Sequence, residues 1–448
     1  MNLIVLGAGH VGLVSAVCFA EAGHDVVCLE NDDFKYKQLK ALEAPFFEPG
    51  LSKMLIDNHV KGRLQFEQTM KSDDGQAEIC FITVGTPCDE SGDADLGQVL
   101  KAAQEIGEHM IRPVLIVNKS TSPVGTAGKI KQVIENELQK RNLVIEFDVA
   151  VVPEFLREGS AIFDHSRPDR IVIGTDNERA RKKLEELYKS QGRVHNQLVF
   201  MDTKSAELTK YASNAMLATR ISLMNEIANL CEEVGADIDK VREGVGTDKR
   251  IGQAFLNAGC GYGGSCFPKD IDAMIAVGES NGVSMEILKA VQSTNERQMQ
   301  VIPRKIYKRF GTDLSNRTIA VWGLSFKPGT SDMRNASSLA IINALSTRNA
   351  KIVAYDPKAM SEAKANYFAQ NSAVSFGDDP VSILKDADAL LLITEWEEFK
   401  NPDFIQVKQL LKNPVIYDGR NMYSQEEMRS LGFEYYPIGK KCEGRNGF

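Results

Sequence analysis

Between residues 259 and 270 the chain reads GCGYGGSCFPKD, a glycine-rich run that delivers Cys266 to the front of what reads as a helix. Pro268 has no N–H and a preset φ, which suits a first helical turn. Cys266 therefore falls at or just before the N-terminus of a helix carrying Asp270 and Ile271. Oriented N–H groups there, with Lys269 beside them, stabilise a thiolate, and a thiolate is a nucleophile for carbonyl carbon. Gly261, Gly263 and Gly264 would leave room for a substrate to reach the sulfur. Two plainer readings stay open from this stretch alone. One is a turn that happens to hold two cysteines; the other is a Cys260–Cys266 disulfide, which a cytosolic setting disfavours.

A second stretch points to a hydride acceptor. Gly7-Ala8-Gly9-His10-Val11-Gly12 fits GxGxxG, follows an apolar strand and opens a helix. In that context Gly7 makes the tight turn, Gly9 lets a pyrophosphate approach backbone N–H groups, and Gly12 permits close helix–strand packing. The helix N-terminus adds partial positive charge for the phosphates. Glu30, eighteen residues after Gly12, would accept the ribose hydroxyls and repel a 2′-phosphate, favouring NAD over NADP. Lys35, close behind, pulls the other way. Further on, GLSFKPGT occupies the equivalent strand-to-helix turn of a second α/β segment, without the glycine fingerprint and with Lys327 in it. A lysine there supplies a full charge to a phosphate, or is a solvated loop residue.

The elements that must hold these groups follow from periodicity. Short apolar runs in LIVL, EICFITVGTP, VLIVNKSTSPVGT, FDVAVVPEF and DRIVIGT alternate with helical patterns, which means an open α/β sheet over the first two hundred residues. SAELTKYASNAMLATRISLMNEIANLCEEVG has helical spacing and no proline, so it predicts one long helix ended by Gly235. A second helical stretch follows the cysteine loop, through DIDAMIAVGESNG and then from SMEILKAV to IYKRF. The α/β rhythm returns in TIAVWGLSF, KIVAYDP, ALLLIT and PVIYDGR, with a helix through SSLAIINALSTRN. The order is thus α/β, helical connector, α/β, and the connector is the natural homodimer face. The tail GKKCEGRNGF is expected to fray.

Composition narrows the class. A chain of 448 residues calls for two or three domains, and 43% hydrophobic with 25% charged residues is globular and water-soluble. A net charge of −8 argues against nucleic acid as a partner. No apolar run spans a membrane, and the N-terminus reads as a strand rather than a signal peptide. Cys18, Cys28, Cys80 and Cys231 sit in apolar periodic stretches and read as buried small hydrophobes. Neither CxxC nor HExxH occurs, so no metal is expected, and the cytoplasm is the expected compartment.

The stretches GAGHVG, EPGL, VGTP, NKSTSPVGT, PEFLREGSA, KYASNAMLATRISLMNEIA, KRIG, GYGGSCFPKD and GLSFKPGTSDMR, in this order along nearly the whole chain, resemble the UDP-glucose/GDP-mannose dehydrogenase family. The resemblance implies an NAD-binding Rossmann domain over 1–200, a central helical dimerisation region with the cysteine loop over 201–310, and a Rossmann-like UDP-binding domain over 311–448. It implies a four-electron oxidation of UDP-glucose to UDP-glucuronate through a covalent intermediate on Cys266, with NAD as cofactor. GDP-mannose or a UDP-N-acetylhexosamine is the alternative substrate, and CFPKD favours glucose. By the same resemblance Lys210 and Asp270 handle the alcohol proton and the developing oxyanion, with Asn214 one helical turn from Lys210. Thr121 positions a water, and Glu154 or Glu158, the first favoured, is the base for thioester hydrolysis. Val11, Thr86, Thr121, Glu158, Lys269 and Arg334 join Gly7, Gly9, Gly12, Glu30 and Lys35 around the dinucleotide. Glu154, Phe155, Leu156, Arg157, Lys210, Asn214, Arg250, Phe255, Asn257, Gly263 and Lys327 are expected at the nucleotide sugar. Arg250 is expected to reach it across a dimer. With Cys266, Lys210, Asp270 and Asn214 all present, a non-catalytic dinucleotide sensor is the weaker reading.

Overall fold

The structure, a computed structural model, describes residues 1–71, 76–87, 94–190 and 197–441. It divides into two compact units, Met1–Ser213 with Asp272–Asn281, and Asn214–Ile271 with Gly282–Phe448.

The first unit is built on strands β1 (Asn2–Leu6), β2 (Asp25–Leu29), β3 (Leu64–Glu67), β4 (Ile79–Ile82), β5 (Val114–Asn118), β6 (Phe147–Val151), β7 (Ile171–Gly174) and β8 (Leu198–Met201). They lie in the order β3-β2-β1-β4-β5-β6-β7-β8. Every neighbouring pair is parallel except β6 and β7. The first six follow the doubly wound order, which leaves a crevice at the carboxyl ends of β1 and β4 where the winding reverses. Successive side chains of β1 enter different cores, as the pleat requires. Leu3 and Val5 pack with the His10–Glu21 helix residues Leu13, Val14 and Val17, while Ile4 and Leu6 pack with Val99, Ala103 and Ile106. A parallel sheet covered on both faces is the setting in which strands read as unbroken apolar runs.

The second unit repeats the plan with β9 (Thr318–Trp322), β10 (Lys351–Tyr355), β11 (Val374–Phe376), β12 (Ala389–Leu392), β13 (Val415–Asp418) and β14 (Glu434–Tyr436). The order β11-β10-β9-β12-β13-β14 is the same winding, all parallel. Ile319 and Val321 share a core with Met224, Ala228 and Cys231, whereas Ala320 and Trp322 face Phe399, Ile416 and Tyr435.

The long helix runs Thr203–Val234 and stops at Gly235, whose φ of 77° is the left-handed geometry that glycine adopts freely. The latter part of the second helical stretch divides into Glu286–Gln298 and Val301–Phe310. Pro303 explains the division, because it cannot donate to a preceding turn and its ring crowds the carbonyl there. The start of the tail is anchored rather than frayed. Gly439 N–H donates to Glu232 at 2.7 Å and the Lys440 ammonium lies 2.6 Å from Asp239; residues 442–448 lie outside the described residues. Cys18, Cys28, Cys80 and Cys231 are buried. Among the described residues no helix is long and apolar enough to cross a membrane.

Gly323 closes the turn after β9 at φ 95°, and a Cβ there would lie 2.4 Å from Thr394 Cβ and 2.6 Å from its backbone nitrogen. Gly323→Ala is expected to destabilise the protein by about 1–3 kcal/mol, read as a lowered midpoint in thermal unfolding.

Candidate functional site

The glycine turn of the first unit has the geometry its sequence requires. Gly7 has φ 99° and donates to Leu29 O at 2.8 Å. A Cβ on Gly12 would fall 1.8 Å from Gly7 O and 2.5 Å from Thr83 Oγ1, so only glycine fits. Thr83 Oγ1 in turn donates to Leu6 O and Gly7 O. Gly9 differs. It caps the helix with φ −69°, no side-chain cap bond forms there, and an added Cβ would meet nothing within 4 Å. Nothing in the protein demands a glycine at 9, whereas a phosphate lying against the helix N-terminus does. Glu30 is buried and grips the same turn, accepting from Ala8 N–H at 3.1 Å and Asp32 N–H at 2.9 Å. Lys35 is exposed, with its N–H spent on capping the next helix through Asp32 Oδ1. Val11 is half-buried. Thr86 is buried and donates to Thr121 O at 2.6 Å, tying together two loops at the carboxyl ends of β4 and β5.

Buried carboxylates hold the remaining loops of this unit. Glu48 accepts from Gly159 N–H at 2.7 Å and Ala161 N–H at 2.8 Å, and His10 Nε2 lies 3.0 Å from it. The segment carrying Glu158, itself half-buried, is thereby fixed to the start of the first helix. Glu207, on the long helix, accepts from Gly125 N–H at 2.6 Å and Ala127 N–H at 2.8 Å, capping the helix Thr126–Lys140 from outside it. Lys210, one turn further, is buried with its ammonium 5.3 Å from the centre of the Phe155 ring.

Glu154 follows β6 and is buried against Lys119, which follows β5, with Lys119 Nζ 2.5 Å from Glu154 Oε2. Its other oxygen accepts from Phe155 N–H at 2.6 Å and Leu156 N–H at 2.9 Å. Burial opposes the charge on each partner, and the pairing outweighs it. Glu154 is held below the usual carboxyl range and Lys119 above the usual amine range. Leu156 packs on the core, and Phe155 lies under the Arg170 guanidinium at 4.0 Å. The Arg157 guanidinium is paired with Asp164, through Nε at 2.9 Å and Nη2 at 2.7 Å.

In the second unit Cys266 immediately precedes the helix Phe267–Ser280, and its carbonyl accepts the first helical bond from Asp270 N–H at 2.9 Å. Its thiol is exposed and free, 3.5 Å from Ser265 Oγ, while the Cys260 thiol is free and fully buried. Asp270 is buried, with Asn214 Nδ2 donating to Oδ2 at 2.6 Å and Lys269 Nζ to Oδ1 at 2.6 Å. Asn214, Lys269 and Asp270 thus form one cluster, four residues beyond the sulfur.

The glycines before Cys266 are occupied by protein rather than open to a ligand, which corrects the expectation that they clear a path to the sulfur. A Cβ on Gly263 would meet Asn335 O at 2.1 Å, and one on Gly264 would meet the Phe326 ring at 2.7 Å. The loop backbone is held throughout by buried amides. Asn225 Oδ1 accepts Gly259 N–H at 2.8 Å, Gln298 Nε2 donates to Gly259 O at 2.7 Å, and Asn295 bonds both the N–H and the C=O of Tyr262. Ser337 Oγ and Arg420 Nη1 both donate to Gly261 O, at 3.0 and 3.1 Å. These side chains lie far from the loop in sequence and in stretches whose spacing says only helix or strand, so no local signal exposes them.

The other expected substrate residues are spread along the second unit. Arg250 is exposed and paired with Asp248, and Asn257 accepts from Arg242 Nη1 at 2.8 Å. Phe255 has φ 60° and its ring centre lies 6.2 Å from that of Phe267. Lys327 lies over the Phe326 ring at 5.3 Å, and Arg334, expected at the dinucleotide rather than the sugar, is paired bidentately with Asp332. At the end of β10, in the place that Glu30 holds after β2, Asp356 accepts from Leu324, Ser325, Lys358 and Ala359 N–H groups and from Trp396 Nε1. That carboxylate is consumed within the fold, so the second turn keeps a first glycine in Gly323 but, with Ser325 and Pro328 in place of the others, lacks the second and third glycines and the free acceptor of a dinucleotide site.

Residues 1–191 match the family model described as the NAD binding domain of the UDP-glucose/GDP-mannose dehydrogenase family, 204–297 its central domain and 320–425 its UDP binding domain. The chain is 44% identical over 446 residues to a UDP-glucose 6-dehydrogenase of Pseudomonas aeruginosa, covering 99% of this chain and 98% of that one. It is also 44% identical to the UDP-glucose 6-dehydrogenase TuaD of Bacillus subtilis, covering 98% and 93%. A UDP-glucose dehydrogenase structure from Pyrobaculum islandicum superposes with a TM-score of 0.88 at 37% identity, over 98% of each chain.

The two glycines separate packing from binding. Gly9→Ala is expected to keep stability within about 1 kcal/mol and to weaken NAD binding by roughly 10-fold or more. Gly12→Ala is expected to lower the unfolding midpoint as well; thermal melts and NAD titrations of both variants check this.

Proposed function

The chain belongs to the UDP-glucose/GDP-mannose dehydrogenase family, and from that premise we propose that it oxidises UDP-glucose to UDP-glucuronate, consuming two NAD per sugar. The observation that carries the reading is an exposed thiol at a helix N-terminus, four residues before a buried carboxylate held by Asn214 and Lys269. A nucleophile so placed suits an aldehyde that must be retained and oxidised again.

Bound NAD supplies the hydride acceptor for both oxidations. Gly7, Gly9 and Gly12 cradle it, Glu30 sets the ribose end, and Val11, Lys35, Thr86, Thr121, Glu158, Lys269 and Arg334 complete its surroundings. Lys210 and Asp270 take the proton from the sugar's primary alcohol and stabilise the oxyanion, with Asn214 fixing Asp270. The Cys266 sulfur adds to the aldehyde carbon to give a thiohemiacetal, whose oxidation leaves a thioester. Glu154 takes a proton from the water that hydrolyses it, and Thr121 helps place that water. Phe155, Leu156, Arg157, Arg250, Phe255 and Asn257 bind the nucleotide sugar, and Lys327 its phosphates. In this reading the NAD part spans 1–200, the central part 201–310 and the UDP part 311–448.

The enzyme works in the cytoplasm as a homodimer through the long helix. Met216, Leu223, Leu230 and Val234 recur at seven- and four-residue steps along it and are each more than half exposed, a stripe that a second copy would cover.

With purified protein, kcat/KM for UDP-glucose is expected to exceed that for GDP-mannose and for UDP-N-acetylglucosamine by at least about 100-fold. A reversed order would move the assignment to the alternative sugar. Cys266→Ser is expected to stall after at most one turnover while still binding UDP-glucose, and normal steady turnover in that variant would remove the covalent step.

A further inference from the structure

Lys119 belongs to none of the groups assigned above, yet it is among the most enclosed charges of the first unit. It directly follows β5, a strand buried at all five positions, and its N–H is bonded to Ile82 O at 2.9 Å. Its side chain is 6% exposed and that of Glu154 10%, with 2.5 Å between ammonium and carboxylate. Glu154 is reached through the same ladder, since Val152 N–H donates to Asn118 O at 3.0 Å. The pair is thus held by two adjacent strands at their carboxyl ends, where this winding places its chemistry.

A buried ion pair is a poor device for stability, because apolar residues of similar size commonly do as well or better. Such a pair at a strand end therefore calls for a functional account. The titratable groups facing Glu154 are Lys119, His165 and Lys210; those facing Lys119 are Glu154, Tyr188 and Cys18. Lys119 is the group that touches the carboxylate, and it does so at Oε2, while Phe155 and Leu156 N–H groups engage Oε1. Without the ammonium, burial would drive the carboxyl toward its neutral form, which accepts no proton.

Resting on the reading that Glu154 is the hydrolytic base, we infer that Lys119 is a positioning residue for the hydrolysis half of the reaction, holding Glu154 ionised and its Oε2 in place. In that step water gives a proton to Glu154 and its oxygen bonds to the thioester carbonyl carbon. The C–S bond breaks, and the sulfur leaves as the Cys266 thiolate. Lys119 keeps its own proton throughout and never meets the substrate.

The test uses the full-length enzyme with NAD and UDP-glucose, acid-quenched and read by intact mass and by NADH burst. Lys119→Gln is expected to accumulate the Cys266 thioester after a burst of two NADH per site, with steady turnover lower by on the order of 100-fold. Its folded carboxyl pKa being raised, turnover should recover as pH rises from about 7 to 9, and Lys119→Arg should restore hydrolysis. Glu154→Gln should accumulate the same adduct at every pH. Adduct in Glu154→Gln without adduct in Lys119→Gln, or adduct in the latter that persists unchanged at high pH, overturns the role of Lys119 and leaves the base assignment standing. No adduct in Glu154→Gln overturns both. A measurement on the unaltered lysine decides independently of how Lys119→Gln folds: the infrared difference between wild type and Glu154→Gln should show a carboxylate at pH 7, and a protonated carboxyl band would sink the inference.

Discussion

Carboxylates taken out of water and given to backbone N–H groups are the constraint on which the arrangement of loops depends. An ionised carboxyl is costly to bury unless several donors meet it, and donors from two segments lock those segments together. Asp270, behind Cys266, is held instead by the side chains of Asn214 and Lys269, whereas through backbone N–H groups Glu30 fixes the dinucleotide turn, Glu48 the PEFLREGSA segment and Glu207 the loop before Thr126. Asp356 and Asp418 do the same after β10 and β13, the latter accepting from Arg420, Met422 and Tyr423 N–H groups. The strands supply rigid ends, and the carboxylates decide how the chain leaves them.

The two units share a winding and use it differently. After β1 a glycine is kept at position 9 where no protein atom would oppose a side chain, which leaves a helix N-terminus bare for an anion. After β9 the corresponding turn is filled by its own contacts, and its acidic residue is saturated by six donors. One fold therefore yields a dinucleotide cradle and a domain for a different nucleotide, the difference lying in whether a few donors are spent inside the protein or left for a ligand.

Much of this was legible in the sequence where a motif and its flanking elements agree. The fingerprint at 7–12, the long helix ending at Gly235 and the cysteine placed by Pro268 all follow from local rules. The strands β3, β8, β11 and β14 escaped notice because three or four residues such as LQFE, LVFM, VSF or EYY carry too little pattern to distinguish from loop. The purpose of Gly263 and Gly264 was misread because glycine declares a close approach without saying by what; here it is Asn335 and Phe326. Lys119 showed one sign, a lysine directly after the apolar run Val114–Val117 and Asn118. Its partner lies 35 positions on, at the end of β6, and only the pairing of β5 with β6 brings the two together.

The stoichiometry of oxidation tests the central claim most directly. With limiting UDP-glucose and excess NAD, the account predicts two NADH per sugar and a product bearing a carboxylate, with no free aldehyde captured by an added amine trap. One NADH per sugar with a trapped aldehyde, or no NADH from folded protein that binds both ligands, would contradict it.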